Sequence, residues 1–248
     1  MTHALTRLFT LAQQHIALLK EGEGAPGMQS VSLVSPEPSR AVIAALYRHW
    51  EEHYPEAGAA YWQLRTWGML TWQPVYLALI GVHGAQLAAP LGALEQHASQ
   101  GWLSGYRLTG SPRLEGAETA ALIAAAANEL STLCDGLAAL WPEAPRERMR
   151  GELLADTVCV ALEFVAPTLP GRPDWRELAA PWLTALGLAP PNKLALSKEG
   201  HYVRRRCCLH YRRSDGALCG NCPKSHNSAP PVPKIRLLPR SDRRQATS

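Results

Sequence analysis

Apolar residues recur every three to four positions through most of the first 190 residues, the period of helices that each bury one face. Leu5, Leu8, Phe9, Ala12, Ile16 and Leu19 share one face of a helix predicted over 1–20. Further helices are predicted at 39–54, 58–80, 84–99, 116–140 and 145–165, the last opened by the favoured first-turn Pro145 and stopped at Pro167. Asp174 followed by Glu177 has the form of a capping box for one more helix, ending at Gly187. Two stretches break the helical period. Val31–Val34, beyond the Gly/Pro-rich linker 22–27, predicts a strand; Trp102, Leu103, Tyr106 and Leu108, punctuated by glycines, predict a strand or hairpin within 100–113.

The pattern also marks where organisation changes. Thr66–Leu94 contains no Asp, Glu, Lys or Arg, long enough to raise the question of a membrane span. Gln73, Pro74, His83 and Gln86, with Gly81 and Gly84 between them, favour two buried core helices meeting near Gly81 instead. Gln73-Pro74 predicts a helix kink. Trp62, Trp67 and Trp72, five residues apart, drift around their helix and read first as core packing. Ala189-Pro190-Pro191 breaks regular structure and divides a helical body, 1–190, from a cysteine module, 191–227. The remaining 228–248, rich in Pro, Ser and Arg, reads as a disordered basic tail.

Charge sharpens this division. Residues 200–248 hold eleven Lys/Arg against Asp215 and Asp242, a balance of +9, whereas 1–199 carry a balance of −5. A basic end on an acidic body points to an anionic partner: nucleic acid, a membrane face, or an acidic protein or ligand. No secretory signal pattern is visible, so a cytoplasmic location is expected, with peripheral inner-membrane contact open to the basic end. Reduced thiols are expected there, and four cysteines within sixteen residues then read as a metal site rather than a disulfide framework.

Those four are Cys207, Cys208, Cys219 and Cys222, in the pattern C-C-x10-C-x2-C. Four thiolates satisfy either a [2Fe–2S] cluster or a tetrahedral zinc ion. Neighbouring residues in extended chain point opposite ways, which makes Cys207 and Cys208 awkward partners on one small ion and better suited to a two-iron target. On the residues alone both metals stay open. Cys134 and Cys159 fall on predicted helices among Leu, Val and Ala and read as buried apolar thiols. His201, His210 and His226 flank the module as solvated or supporting groups. Arg204, Arg205, Arg206, Arg212 and Arg213 form a cationic surround that suits attraction of an anionic substrate or partner.

The cysteine spacing resembles the C-terminal signature of the FhuF family of bacterial siderophore–iron reductases, and all four cysteines match it. Tyr61-Trp62-Gln63-Leu64-Arg65-Thr66-Trp67-Gly68-Met69-Leu70-Thr71-Trp72-Gln73-Pro74-Val75-Tyr76 resembles the aromatic helical segment of a ferric reductase subgroup. The resemblance implies that Cys207, Cys208, Cys219 and Cys222 bind a [2Fe–2S] cluster. It further implies an oxidoreductase that reduces siderophore-bound iron(III) and releases iron(II) in the cytoplasm. No G-x-G-x-x-G is present, so a separate electron donor, a ferredoxin or a flavin reductase, is expected. The expected fold is mainly α, with a small β-hairpin or strand element and a C-terminal iron–sulfur module. Two rivals remain at this stage: a zinc-stabilised nucleic-acid-binding protein, which no recognition helix or stacking motif supports, and a [2Fe–2S] carrier with another acceptor.

Overall fold

The computed structural model describes residues 3–22, 28–188 and 194–225. Six α-helices dominate them: α1 (His3–His15), α2 (Pro36–His53), α3 (Ala59–Ile80), α4 (Thr119–Leu140), α5 (Glu147–Val165) and α6 (Trp175–Ala185). Five short strands accompany them: β1 (Gln29–Ser32), β2 (Leu87–Ala88), β3 (Leu94–Ser99), β4 (Trp102–Leu108) and β5 (Leu114–Glu115). The expected mainly α body with a small sheet is what the chain forms.

α3, whose single charged residue is Arg65, is the axis of the core. Tyr61, Trp67, Leu70, Val75 and Leu77 are all buried on it, and α1, α2, α4 and α5 pack around it. A helix apolar on every side is stable only when surrounded. Among the described residues no helix is long and apolar enough to cross a membrane. Pro74 lies inside α3 and supplies no N–H to the Leu70 carbonyl. The Gln96 side-chain amide donates to that carbonyl at 3.0 Å, and Gln73 Nε2 donates to Gln96 Oε1 at 3.3 Å. The helix therefore continues through Pro74 to Ile80.

The segment expected as a second core helix, 84–99, is not one. A π-turn at Gly81–Ala85 ends α3, Gln86 turns left-handed (φ 57°), and the chain then forms β2, a 3-10 turn and β3. Pro90 and Gly92 deny this stretch a helical run, and residues 94–99 instead pair between β1 and β4 in an antiparallel sheet of order β1-β3-β4. β3 and β4 are joined by Gln100-Gly101, both with positive φ (44° and 81°), the geometry of a tight primed turn. At Gly101 a Cβ would lie 2.1 Å from the His49 ring, so a larger residue would also have to displace that side chain.

The other ends differ by a few residues. α1 stops at His15, although Leu19 beyond it is buried as the apolar face expects. Asp174 caps α6 by accepting the Arg176 N–H at 2.9 Å. Gly187 (φ 68°) closes that helix, with Leu188 N–H returning to the Leu183 carbonyl at 2.9 Å. The expected boundary at 189–191, His226 and the tail 228–248 lie outside the described residues.

Candidate metal centre

The approach to the cysteines is held by α5. Its sequence Leu154-Ala155-Asp156-Thr157-Val158-Cys159 places a carboxylate in an apolar run, and a buried charge there needs several partners. Asp156, only 2% exposed, has them. Its Oδ1 accepts the Tyr202 hydroxyl (2.8 Å) and the Arg205 backbone N–H (2.9 Å), and its Oδ2 accepts the Arg206 N–H (2.8 Å). Burial pushes its pKa up, and the backbone and tyrosine donors pull it back. One turn earlier, Glu152 pairs with the Arg206 guanidinium and with Arg148 at 3.3 Å. Two turns later, Glu163 accepts the Tyr202 N–H at 3.1 Å and meets His201 Nδ1 at 3.1 Å. These three acids fix residues 201–206 against the body.

Past this anchor the chain reaches the adjacent cysteines and turns at once. Leu209 is left-handed (φ 59°) and begins a 3-10 turn at His210–Arg212. That turn brings the Leu209 and His210 N–H groups to the Cys207 and Cys208 sulfurs respectively. The return segment closes in a Cys219–Cys222 turn (Cys222 N–H to Cys219 carbonyl, 3.0 Å) and is pinned by Arg204 N–H donating to the Asn221 carbonyl at 3.0 Å. Between the two segments, Gly216 passes so near His210 that a Cβ would lie 2.0 Å from its carbonyl oxygen.

The sulfurs consequently meet in two pairs. Cys207 Sγ lies 4.0 Å from Cys222 Sγ, and Cys208 Sγ lies 3.7 Å from Cys219 Sγ. Two thiolates on one tetrahedral ion, with metal–sulfur bonds of about 2.3 Å, stand about 3.8 Å apart. Each pair thus has about the separation of two thiolates that share a metal. The Cys219 thiol, hydrogen-bonded to Cys208 and aided by the His210 N–H and by Arg204, pulls Cys208 down to about 5, and the same contact pushes Cys219 up. Cys134 and Cys159 are buried in the helical core, where desolvation pushes each up to about 12. Neither is paired with the four clustered cysteines, although Cys159 lies against Tyr202 of the anchor.

The Cys208–Cys219 pair faces a cavity of about 380 Å³ between α3 and α5. Arg65, Trp67, Gly68, Trp72 and Tyr76 line it from α3, and Arg204 and His210 from the cysteine segment. The aromatic residues thus divide their roles. Trp62 donates to the Tyr54 carbonyl (2.8 Å), whereas Trp72, held by the Leu103 carbonyl (2.9 Å), and Trp67 contribute to the wall.

The expected cationic surround is only partly available to a ligand. Arg206 is engaged by Glu152, and the Arg205 guanidinium lies near the Tyr202 hydroxyl (3.5 Å). Arg213 stacks on the Tyr54 ring (3.8 Å from its centroid) and pairs with Asp215. Arg212 is exposed, and Arg204 reaches the cavity.

Paired thiols approached by N–H donors are an arrangement that an iron–sulfur cluster uses. Residues 204–224 match the family model of the FhuF 2Fe-2S C-terminal domain, and in this segment the chain is similar to a domain that carries a [2Fe–2S] cluster. The match covers all four cysteines and none of the six helices. No solved structure matches the chain.

Proposed function

We propose that the protein is a ferric-siderophore reductase, an oxidoreductase acting on metal ions. On the thiol pairing, Cys207 and Cys222 would hold one iron of a [2Fe–2S] cluster, and Cys208 and Cys219 the other. When bound, such a cluster supplies one electron at a time. The observation that carries this reading is the cavity against Cys208 and Cys219, which lets a bulky acceptor approach sulfur without entering the core.

The reaction asks little else of the protein. Deprotonated siderophore oxygens hold iron(III) far more tightly than iron(II), so one electron to the metal frees it as iron(II). Asp156 and Glu152 hold the segment that enters the cysteine pair, so the thiols are placed before an acceptor arrives. The Leu209 and His210 N–H groups donate to sulfur, and such bonds raise a cluster's potential. A separate donor, a ferredoxin or a flavin reductase, returns the electron. The exposed Arg212 and Lys224, on the cysteine segment, suit an acidic partner of that kind. The reaction belongs in the cytoplasm, with the basic end available to an anionic membrane face.

Anaerobic EPR tests the proposal. Dithionite-reduced protein should lose its reduced-cluster signal on addition of a ferric siderophore, with an equal amount of iron(II) captured by a ferrous chelator. A signal that persists for every siderophore class, yet vanishes with ferricyanide, would identify a carrier with another acceptor. A colourless protein holding stoichiometric zinc would restore the zinc-module alternative.

A further inference from the structure

The cavity beside Cys208 is lined by two arginines, Arg65 and Arg204, and by a single carboxylate, Asp156, which lies near Arg204. Arg65 projects from α3 with its guanidinium held between the rings of Trp50 and Trp102, 4.9 Å from each centroid. Its Nε is buried and has no hydrogen-bond partner among the described residues, and the same is true of Arg204 Nε. Desolvation pulls the Arg65 pKa down, yet a guanidinium stays charged in proteins. The one carboxylate on the lining, Asp156, is occupied by Tyr202 and the backbone of Arg205 and Arg206. A partly buried guanidinium whose local acid is already committed attracts an anion that enters the same space.

The space itself is made by a missing side chain. Gly68 sits in the middle of α3, where glycine weakens a helix relative to alanine by about 0.5–1 kcal/mol. Its φ is ordinary, and a Cβ there would meet nothing within 4 Å. Neither backbone geometry nor close packing demands glycine at this position, in contrast to Gly101 and Gly216. It borders the cavity, flanked by Trp67, Trp72 and Arg65. The volume of about 380 Å³ falls within the range of roughly 300–1,000 Å³ typical of small-molecule sites.

We infer that the cavity between α3 and α5 is the acceptor-binding site and that it selects anionic over uncharged iron(III) chelates. Arg65 and Arg204 bind the deprotonated oxygens, the Trp67, Trp72 and Tyr76 wall takes the apolar part, and Gly68 leaves the room. The inference rests on the reductase reading for the identity of the metal in the chelate; the preference for negative charge rests on the two arginines.

Gallium(III) complexes test the site without electron transfer. Titration calorimetry on cluster-loaded protein compares the trianionic gallium complex of a tricatecholate siderophore with the uncharged complex of a trihydroxamate. The wild type should bind the trianionic complex at least about tenfold more tightly, the scale of a charge-assisted hydrogen bond. Arg65→Met should remove most of that preference. Gly68→Leu, whose Cβ meets nothing within 4 Å and whose branched end would occupy the cavity, should weaken binding of both complexes at least about tenfold while keeping the visible spectrum and oxidation by ferricyanide. Equal affinity of the wild type for both complexes, or full affinity in Gly68→Leu with an intact cluster, would overturn the inference. The reductase reading fails separately. If binding depends on Arg65 and Gly68 but the iron(III) complexes leave the reduced cluster unoxidised, the site stands and the reductase does not. If iron(III) reduction proceeds unaffected by both substitutions, the reductase stands and this site does not.

Discussion

Gln96 donates its side-chain amide to the Leu70 carbonyl at 3.0 Å, the acceptor that Pro74 leaves without its helical N–H. A residue of β3 thereby completes a turn of α3, the helix that forms one wall of the cavity. Gln96→Met should cost about 1–3 kcal/mol by stranding that buried carbonyl. In a Pro74→Ala background the cost should shrink, because residue 74 can again bond residue 70. Urea unfolding of the four proteins in the cycle measures the coupling.

Asp156→Asn retains one carbonyl acceptor where the carboxylate receives three donors from Tyr202, Arg205 and Arg206. We expect a loss of about 2–4 kcal/mol, within the range for breaking one partner of a buried charged network, and reduced cluster content. Tyr202→Phe removes a single donor and should cost about 1 kcal/mol with the cluster retained. Iron content and thermal unfolding distinguish the two.

Gly216→Ala should act on the cysteine segment alone. Its Cβ would meet the His210 carbonyl at 2.0 Å, forcing apart the loop between Cys208 and Cys219. Visible absorbance per protein should fall while far-ultraviolet circular dichroism and the melting of the helical body stay near wild type. Loss of both together would mean that the segment is part of the core.

Cys222→Ser should abolish the cluster, whereas Cys134→Ser should keep it, since Cys134 is buried among the α4 core residues. Equal loss of iron in both variants would refute the proposed ligands.

His83 gives the fold a pH dependence remote from the cysteines. It accepts the Trp182 indole N–H at 2.9 Å, and burial lowers its pKa from 6.5 to about 4. The unfolded chain therefore takes up a proton at a higher pH than the folded one. The stability conferred by neutral His83 is complete above pH 6.5 and is lost as pH falls toward 4, by up to about 3 kcal/mol. Urea midpoints at pH 7 and 4.5 should differ less in His83→Gln, whose amide oxygen can accept the same indole and does not titrate.

The helices were legible because α2, α4 and α5 each declare an apolar face over many turns, and the cysteine segment because C-C-x10-C-x2-C is dense and specific. The helix expected at 84–99 failed because its apolar residues carry no period that separates a buried helix from paired strands, and β1 lies more than sixty residues away from its partner. Asp156 was not singled out, because its partners lie about fifty residues on and only the fold brings them together. Arg65 and Gly68 stood in the sequence only as part of the aromatic segment Tyr61–Tyr76, and the cavity they border forms only where α3 meets α5 and the cysteine segment.

The two sulfur pairs are nested, 207 with 222 and 208 with 219, separated by 15 and 11 residues. Under the proposed ligation neither the adjacent cysteines nor the Cys219–Cys222 turn would own a metal; each iron would bridge the outgoing and returning chain. The cofactor then doubles as a pair of cross-links closing two short loops, and it lowers the entropy of that segment as disulfides do in secreted domains. Oxidative loss of iron would free the hairpin but leave residues 202–206 tied to α5, so the protein would keep a docked stub onto which a new cluster can be built.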